Sequence, residues 1–190
     1  MNVRIISGSR GGRVIEAPST TRTHPMSERI RGSLFNILGD VSGLTVLDAF
    51  AGTGALGLEA LSRGAAQATF IEKDRVAQKV LASNIQTLGF KNETKLIRSS
   101  VAQWDESSGV VVVDNRSLCP DNLFDIIFAD PPYHDPQLST VFRLTKYLKP
   151  KGLMILSYPG RESTPTVNGV VVVDNRSYGD AALAFYHLDD

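Results

Sequence analysis

The chain has 190 residues, of which 42% are hydrophobic and 21% charged, a size that fits one domain with its own core and excludes two ordinary domains. Lysines and arginines together number 20, and aspartates and glutamates together also number 20. The chain therefore lacks the excess positive charge of a general polyanion binder. No apolar stretch approaches the roughly 20 residues that cross a bilayer, and the N-terminus lacks a signal-peptide pattern, so we expect a cytoplasmic protein that does not associate with membranes.

The first 40 residues differ from the rest of the chain in charge. Residues 1–31 contain six arginines and two glutamates, so the remaining chain is slightly acidic. Hydrophobic spacing and turn residues predict two short strands and a helix here, at Val3–Ser7, Val14–Ala17 and Met26–Leu38. Ser27 is the expected N-cap of this helix and Gly39 its expected C-cap. The arginines indicate a phosphate-binding surface, although an ordinary solvated face would explain the charge as well.

From residue 44 onward, predicted strands and helices alternate. The strands are continuous apolar runs, which is typical of a parallel sheet that helices cover on both faces. The predicted strands are Leu44–Phe50, Ala68–Glu72, Thr94–Arg98, Leu123–Ala129 and Leu153–Ser157. The predicted helices are Ala55–Arg63, Asp74–Leu88 and Gln137–Leu148.

The end of the chain departs from this alternation, because two predicted strands, Gly169–Val173 and Ala181–His187, follow each other without a helix. We therefore predict an α/β fold: a doubly wound, mostly parallel, seven-stranded sheet that ends in an antiparallel hairpin. Residues 1–40 would form a small β/helix extension and residues 41–190 one compact domain. The nine residues of Gly169–Ser177 also occur at Gly109–Ser117, but nothing around the two copies repeats.

A glycine-rich turn follows the first strand of the alternating region. Gly52, Gly54 and Gly57 have the spacing G-x-G-x-x-G between a strand and a helix, and Glu72 ends the next strand. Glycines let the backbone approach a ligand, and an acid at the second strand binds ribose hydroxyls. On these residues alone, a nicotinamide dinucleotide is a candidate ligand.

Asp48, at the tip of the first strand of this region, favours a different ligand. A carboxylate this close to the glycine-rich turn would repel the pyrophosphate of a dinucleotide. S-adenosylmethionine carries an ammonium and a sulfonium, and a carboxylate attracts both. Asp48 therefore favours S-adenosylmethionine, the alternative being that it only caps the loop.

The most specific signal in the chain is Asp-Pro-Pro-Tyr, residues 130–133, directly after an apolar strand. The exocyclic amino group of a nucleobase is a poor nucleophile because its lone pair is delocalised into the ring. Acceptors aimed at its hydrogens make the nitrogen more tetrahedral, and the Asp130 carboxylate and Pro131 carbonyl can supply them on a turn that the prolines stiffen. Tyr133 can stack on a base taken out of its helix. The alternative is an incidental rigid turn.

The glycine-rich turn and Asp-Pro-Pro-Tyr together resemble the amino-group methyltransferases that act on nucleic acids. Three further blocks resemble the RsmD family of guanine-N2 methyltransferases of small-subunit ribosomal RNA: Pro25–Leu38, Gly54–Ala65 and Arg176–Asp180. The resemblance covers nearly the whole chain and is weakest at about residues 100–122. It implies a class I, Rossmann-like methyltransferase fold, with S-adenosylmethionine as cofactor and the N2 amino group of a guanine as methyl acceptor.

The same resemblance implies a role for each matching residue. The residues implied to bind the cofactor are Asp48, Phe50, Gly52, Gly54, Glu72 and Ser100. The residues implied to act in catalysis are Asp130, Pro131 and Tyr133. The residues implied to contact RNA, within an RNA-facing extension, are Arg10, Ser27 and Arg31. The expected partner is ribosomal RNA, naked or in a small-subunit assembly particle, and the protein is expected to be a monomer.

The sequence departs from the family pattern at two places. The family usually has Arg-Pro-Thr where this chain has His24-Pro25-Met26. For the adenine of the cofactor, the family often has Asp or Asn where this chain has Ser99 and Ser100. A serine hydroxyl makes a weaker hydrogen bond than a carboxylate.

Other functions remain open from the sequence. A DNA adenine-N6 methyltransferase would use the same Asp-Pro-Pro-Tyr turn, although this length leaves no room for a separate target-recognition domain. A nicotinamide-dependent oxidoreductase would use the glycine-rich turn, and a binding module without catalysis would need neither Asp130 nor Tyr133. We expect no bound metal, because the one cysteine, Cys119, and the three histidines lack the spacing of zinc ligands.

Overall fold

The computed structural model describes residues 2–18, 26–108, 112–113, 116–117 and 123–189. Its strands are β1 (Asn2–Arg4), β2 (Val14–Glu16), β3 (Thr45–Asp48), β4 (Gln67–Ile71), β5 (Thr94–Ile97), β6 (Val112–Val113), β7 (Arg116–Ser117), β8 (Phe124–Ala129), β9 (Leu148–Pro159), β10 (Val170–Ser177) and β11 (Ala181–Leu188). Its α-helices are α1 (Glu28–Leu38), α2 (Ala55–Ser62), α3 (Arg75–Leu88), α4 (Val101–Ser107) and α5 (Leu138–Arg143).

Seven of these strands form the central sheet, in the order β10-β11-β9-β8-β3-β4-β5. The five strands from β9 to β5 are parallel, and β11 pairs antiparallel with both β9 and β10. This confirms the predicted doubly wound sheet with a terminal antiparallel hairpin. The chain winds from β3 out to β5 and then returns to β8 on the other side of β3, so a crevice opens at the carboxyl ends of β3 and β8.

Both faces of the sheet are buried, which explains why its central strands lack polar alternation. On one face the core contains Val46, Phe70, Ile126 and Phe128. On the other face it contains Leu47, Ile71, Ile127 and Met154. Successive residues of one strand thus enter different cores, as the two-residue repeat of a strand requires.

The two caps predicted for α1 are confirmed, and the caps of α3 lie at the ends of its predicted helix. The Ser27 hydroxyl accepts a hydrogen bond from the Ile30 amide at the start of α1, and Gly39 is its C-cap. Asp74 caps α3, which ends at Gly89 with a positive φ of 76°.

Several boundaries differ from the predictions. The predicted helix Gln137–Leu148 contains only the short α5, which continues as a 3-10 helix over Leu144–Tyr147. The strand β9 is longer than predicted, because β8 and β11 pair with it on both sides. The helix α4 was not predicted, although Ser100 and Gln103 form a capping box at its start. Most of Gly109–Ser117, like His24 and Pro25, lies outside the described residues.

The N-terminal segment packs on the same core as the sheet. Val3, Ile5 and Ile15 are buried in the cluster that also contains Val46 and Phe70. The division of the chain at residue 40 stays a prediction. None of the helices in the described part of the chain is both long and apolar enough to span a bilayer.

Candidate active site

A cavity of about 640 Å³ lies at the carboxyl ends of β3, β4 and β8. The N-terminus of α1, the loop after β5, the end of β9 and the start of β11 also line it. Most of the predicted site residues line it: Ser27, Asp48, Phe50, Gly52, Glu72, Ser100, Asp130, Pro131 and Tyr133. Gly54, Arg10 and Arg31 are not among its lining residues.

Asp48 ends β3 at the floor of the cavity and is buried. One of its carboxylate oxygens, Oδ2, accepts a hydrogen bond of 3.0 Å from the Gly57 amide of α2. Burial raises the pKa of Asp48 to about 7, the Gly57 hydrogen bond opposes this, and the nearby Asp130 and Glu72 carboxylates add to it. Asp48 therefore gains or loses its charge near neutral pH.

The two predicted glycines of the cofactor site have different roles. Gly52 has a φ of 52° and lines the cavity, and a Cβ built on it meets no atom within 4 Å. The backbone is therefore open to close approach by a ligand at this residue. Gly54 has a φ of 78° and caps α2, and a Cβ on it would lie 2.3 Å from the Leu81 Cδ1 atom. Gly54 thus seats α2 against α3, and its contact with the cofactor stays a prediction.

Glu72 fixes the loop that follows β3 to the loop that follows β4. Its Oε2 atom accepts a hydrogen bond of 2.7 Å from the Gly52 amide, and its Oε1 atom accepts one of 2.7 Å from the Asp74 amide. Each carboxylate oxygen has a second lone pair, so Glu72 can still accept from a ligand hydroxyl in the cavity.

Ser100 lies on the wall formed by the loop after β5. Its hydroxyl accepts a hydrogen bond of 3.2 Å from the Gln103 amide and contacts the Gln103 side chain at 3.1 Å. The residue thus caps α4 and lines the cavity at the same time.

Asp130 and Tyr133 lie on the turn that follows β8. Burial raises the pKa of Asp130 to about 6, and a hydrogen bond from Ser157 opposes this increase. Burial also raises the pKa of Tyr133, although 40% of the residue is exposed at the cavity. The Tyr133 hydroxyl lies 2.9 Å from the Ser157 hydroxyl. Ser157 was not predicted as a site residue, because nothing marks a serine inside an apolar strand.

Arg31 corrects one prediction. Its side chain is 0% exposed, and its guanidinium donates to the Arg4 and Met26 carbonyl oxygens and lies 3.7 Å from the Glu59 carboxylate. Burial lowers the pKa of Arg31. The prediction that Arg31 contacts RNA is wrong, because a fully buried guanidinium is inaccessible to a phosphate.

Arg10 is only partly exposed and already has partners. Its Nε donates to the Leu88 carbonyl oxygen at 2.7 Å, and its guanidinium lies 5.1 Å from the centre of the Phe90 ring. These contacts fix the segment before β2 to the end of α3. An RNA contact by Arg10 stays a prediction, and so does one by Ser27.

The sheet order and the position of the cavity are those of a class I methyltransferase. The structure of yhhF from Escherichia coli superimposes with a TM-score of 0.83 at 30% identity, covering 100% of this chain and 99% of that one. On this sheet, the Asp48 and Glu72 carboxylates, the open backbone at Gly52 and the Asp-Pro-Pro-Tyr turn after β8 line one cavity.

The family model described as Conserved hypothetical protein 95 matches residues 3–187. The ribosomal RNA small subunit methyltransferase D of Escherichia coli is 35% identical over 169 residues, which cover 87% of this chain and 79% of that protein. YlbH of Bacillus subtilis is 31% identical over 189 residues, covering 97% of this chain and 98% of that protein. The chain belongs to this family, the RsmD family of methyltransferases.

Proposed function

We propose that this chain transfers a methyl group from S-adenosylmethionine to the N2 amino group of a guanine in small-subunit ribosomal RNA. The observation that carries the proposal is the Asp130 turn, which lines the same cavity as Asp48, Gly52 and Glu72. The names of relatives such as the Escherichia coli protein support ribosomal RNA as the substrate. The choice of guanine N2 rests on the family resemblance.

The cavity fits S-adenosylmethionine in size and chemistry. A volume of about 640 Å³ is in the usual range of small-molecule sites. The ionised Asp48 carboxylate attracts the positive charges of the methionine end, and the open backbone at Gly52 allows that end to approach closely. Glu72 would accept hydrogen bonds from the ribose hydroxyls, Ser100 would contact the adenine, and Phe50 would line the same site. When bound, this cofactor supplies an electrophilic methyl group on a positively charged sulfur.

The Asp130 turn activates the amino group that receives the methyl. The Asp130 carboxylate and the Pro131 carbonyl accept its two hydrogens, which withdraws the nitrogen lone pair from the ring and directs it at the methyl group. The nitrogen lone pair would form the new bond to the methyl group that the bound cofactor supplies, and the electron pair of the broken sulfur–methyl bond would stay on the sulfur. The proton that the nitrogen loses passes to the Asp130 carboxylate, whose pKa of about 6 allows it to return the proton to solvent.

The RNA-binding surface of this proposal lies at the start of α1. Ser27 lines the cavity there, and Arg29 is exposed two residues further along the helix. Arg29 replaces the buried Arg31 as the arginine that can reach a phosphate. The substrate is ribosomal RNA, naked or in an assembly particle, and the protein acts as a monomer.

The function is tested by adding the purified chain and labelled S-adenosylmethionine to ribosomal RNA from cells that lack the protein. Naked RNA and small-subunit particles are compared, and the labelled nucleoside is identified by mass spectrometry. We expect N2-methylguanosine at one position. Label in N6-methyladenine of added DNA would instead favour the DNA methyltransferase, and calorimetry that detects NAD but not S-adenosylmethionine would favour the oxidoreductase.

The RNA surface is tested through the salt dependence of RNA binding. Arg29→Ala should reduce its slope by about one unit if Arg29 contacts one phosphate. Lys151→Ala is the matched control, because Lys151 is exposed near the opposite end of β9 from Ser157. Equal slopes in both variants and the original protein would remove Arg29 from the RNA surface.

A further inference from the structure

Arg31 and Glu59 form a buried ion pair where three parts of the chain meet. Both side chains are 0% exposed, and the Arg31 Nε atom lies 3.7 Å from the Glu59 Oε2 atom. Arg31 belongs to α1 and Glu59 to α2, and the segment that follows β1 contacts Glu59. Apolar side chains in place of a buried ion pair often stabilise a fold equally well. Stability alone therefore does not explain the pair.

The Glu59 carboxylate holds the segment that follows β1. Its Oε2 atom accepts a hydrogen bond of 2.7 Å from the Ile6 amide, and its Oε1 atom accepts one of 3.1 Å from the Ser7 amide. The Oε1 atom also accepts one of 2.8 Å from the Arg63 Nε atom, which supplies a counter-charge. Because both oxygens already have donors, the carboxylate does not need Arg31 to satisfy its hydrogen bonds.

The Arg31 guanidinium holds the start of α1. It donates to the Met26 carbonyl oxygen at 3.3 Å and to the Arg4 carbonyl oxygen at the end of β1. Met26 and Ser27 precede α1 and, with Ile30, line the cavity. A guanidinium carries its donors in a rigid fork, so one side chain can bind carbonyl oxygens of two separate segments. Arg31 thereby ties this wall of the cavity to β1.

We propose that Arg31 is a positioning residue for the RNA substrate, which fixes the start of α1 to β1 and, through Glu59, to α2. This inference rests on the proposed function, which places the RNA-binding surface at the start of α1. The helix α2 also contains the Gly57 amide that donates to Asp48, so the ion pair joins the substrate wall to the cofactor side. Arg31 thus acts on RNA through the wall that it holds, without touching a phosphate.

The experiment compares Arg31→Lys with Arg31→Met. Lysine retains the positive charge beside Glu59 but replaces the fork with one compact head group, and methionine removes the charge as well. Both variants should raise the KM for ribosomal RNA by about tenfold, with kcat and the affinity for S-adenosylhomocysteine retained. Arg63→Lys is the matched control and should keep the original KM. The Arg63 side chain hydrogen-bonds Glu59 and, among the described residues, neither Met26 nor Arg4.

Two results of this comparison would overturn the proposal. An original KM in Arg31→Lys would show that Arg31 serves only as a counter-charge for Glu59. A joint loss of kcat and of affinity for S-adenosylhomocysteine in Arg31→Lys would show that the pair supports the whole fold rather than the substrate wall.

A second measurement uses the original protein and depends neither on its activity nor on the folding of a variant. Hydrogen exchange is measured at the Ile6 and Ser7 amides and at the Arg31 amide, which donates to the Ser27 carbonyl oxygen at 2.9 Å. These amides should exchange as slowly as those in the middle of α3. Exchange as fast as in exposed loops would overturn the positioning role, whether or not the chain methylates RNA. Slow exchange in a protein that fails to label ribosomal RNA would overturn the proposed function and leave the start of α1 fixed as described.

Discussion

The cofactor side and the substrate side of the cavity hold their carboxylates in different ways. Asp48 and Glu72 accept hydrogen bonds from main-chain amides, those of Gly57, Gly52 and Asp74. In the described part of the chain, no main-chain amide donates to the Asp130 carboxylate, whose pKa is raised by burial and lowered in part by the Ser157 hydroxyl. Main-chain donors belong to the fold itself, so the carboxylates of the cofactor side also shape the loops. Changes on that side should alter structure and affinity together, whereas changes on the substrate side should alter chemistry alone.

The largest effect is expected on the substrate side. Asp130→Ala should lower kcat by about a hundred- to a thousandfold, because it removes an acceptor that acts on the charge developing in the transition state. The affinity for S-adenosylhomocysteine should remain unchanged, and the melting temperature should not decrease, because burial raises the pKa of Asp130 and its charge does not stabilise the fold near neutral pH. Asp135→Ala, an exposed residue later in the same loop, is the control and should keep its activity. A kcat near that of the original protein would end the assignment of this turn as the amino-group site.

Tyr133→Ala should have the next largest effect, again without loss of stability. The loss of one base–aromatic stack costs roughly 1–3 kcal/mol, which should be visible in the kcat/KM for RNA. Tyr133→Phe retains the ring and loses only the hydroxyl, so it should cost a few-fold. Steady-state methyl transfer measures both variants, and equal losses would show that the hydroxyl rather than the ring carries the role of Tyr133.

A smaller effect, but on two properties at once, is expected for Glu72→Ala. Without this carboxylate the Gly52 and Asp74 amides lose their acceptor, which costs about 1–3 kcal/mol of unfolding free energy and loosens the loop beside the cofactor. Affinity for S-adenosylhomocysteine should decrease about tenfold. Glu72→Gln retains one acceptor and should lie between. Calorimetry and thermal melting test this together, and a change in affinity without a change in stability would break the contrast between the two sides.

The last prediction concerns the pH dependence that Asp48 imposes. Its pKa is raised to about 7 in the folded chain, whereas an unfolded chain ionises it near pH 4. The folded state therefore keeps the Asp48 proton up to a higher pH than the unfolded state does. Because of this group, the free energy of unfolding decreases as the pH increases from about 4 to 7, and its contribution is constant above pH 7.

Asp48→Asn removes the buried charge and retains an acceptor for the Gly57 amide. It should stabilise the ligand-free protein at pH 8 by on the order of 1–3 kcal/mol and by less at pH 5. The same change should weaken S-adenosylmethionine binding at pH 8. Melting curves and calorimetry at the two pH values test this, and equal stabilisation at both would show that Asp48 does not titrate between them.

Much of the fold and part of the site could be predicted from local patterns. Apolar runs bounded by glycines indicated the parallel strands, and the placement of Asp-Pro-Pro-Tyr after one of them predicted where Asp130 lies. The cap residues Ser27 and Asp74 were predictable because each caps its helix through amides two or three residues away. The extent of β9 was not, because its length depends on pairing with β8 and β11.

The sequence by itself determined which elements form and which residues lie at the carboxyl ends of the strands, since both depend on neighbours along the chain. Only the tertiary structure decided the roles of residues whose partners are distant. Arg31 is buried because α1 packs against Glu59 of α2. Gly54 is a glycine because Leu81 of α3 occupies the space of a Cβ. Ser157 contacts the catalytic turn because β9 lies beside β8, and no pattern within either strand encodes that register.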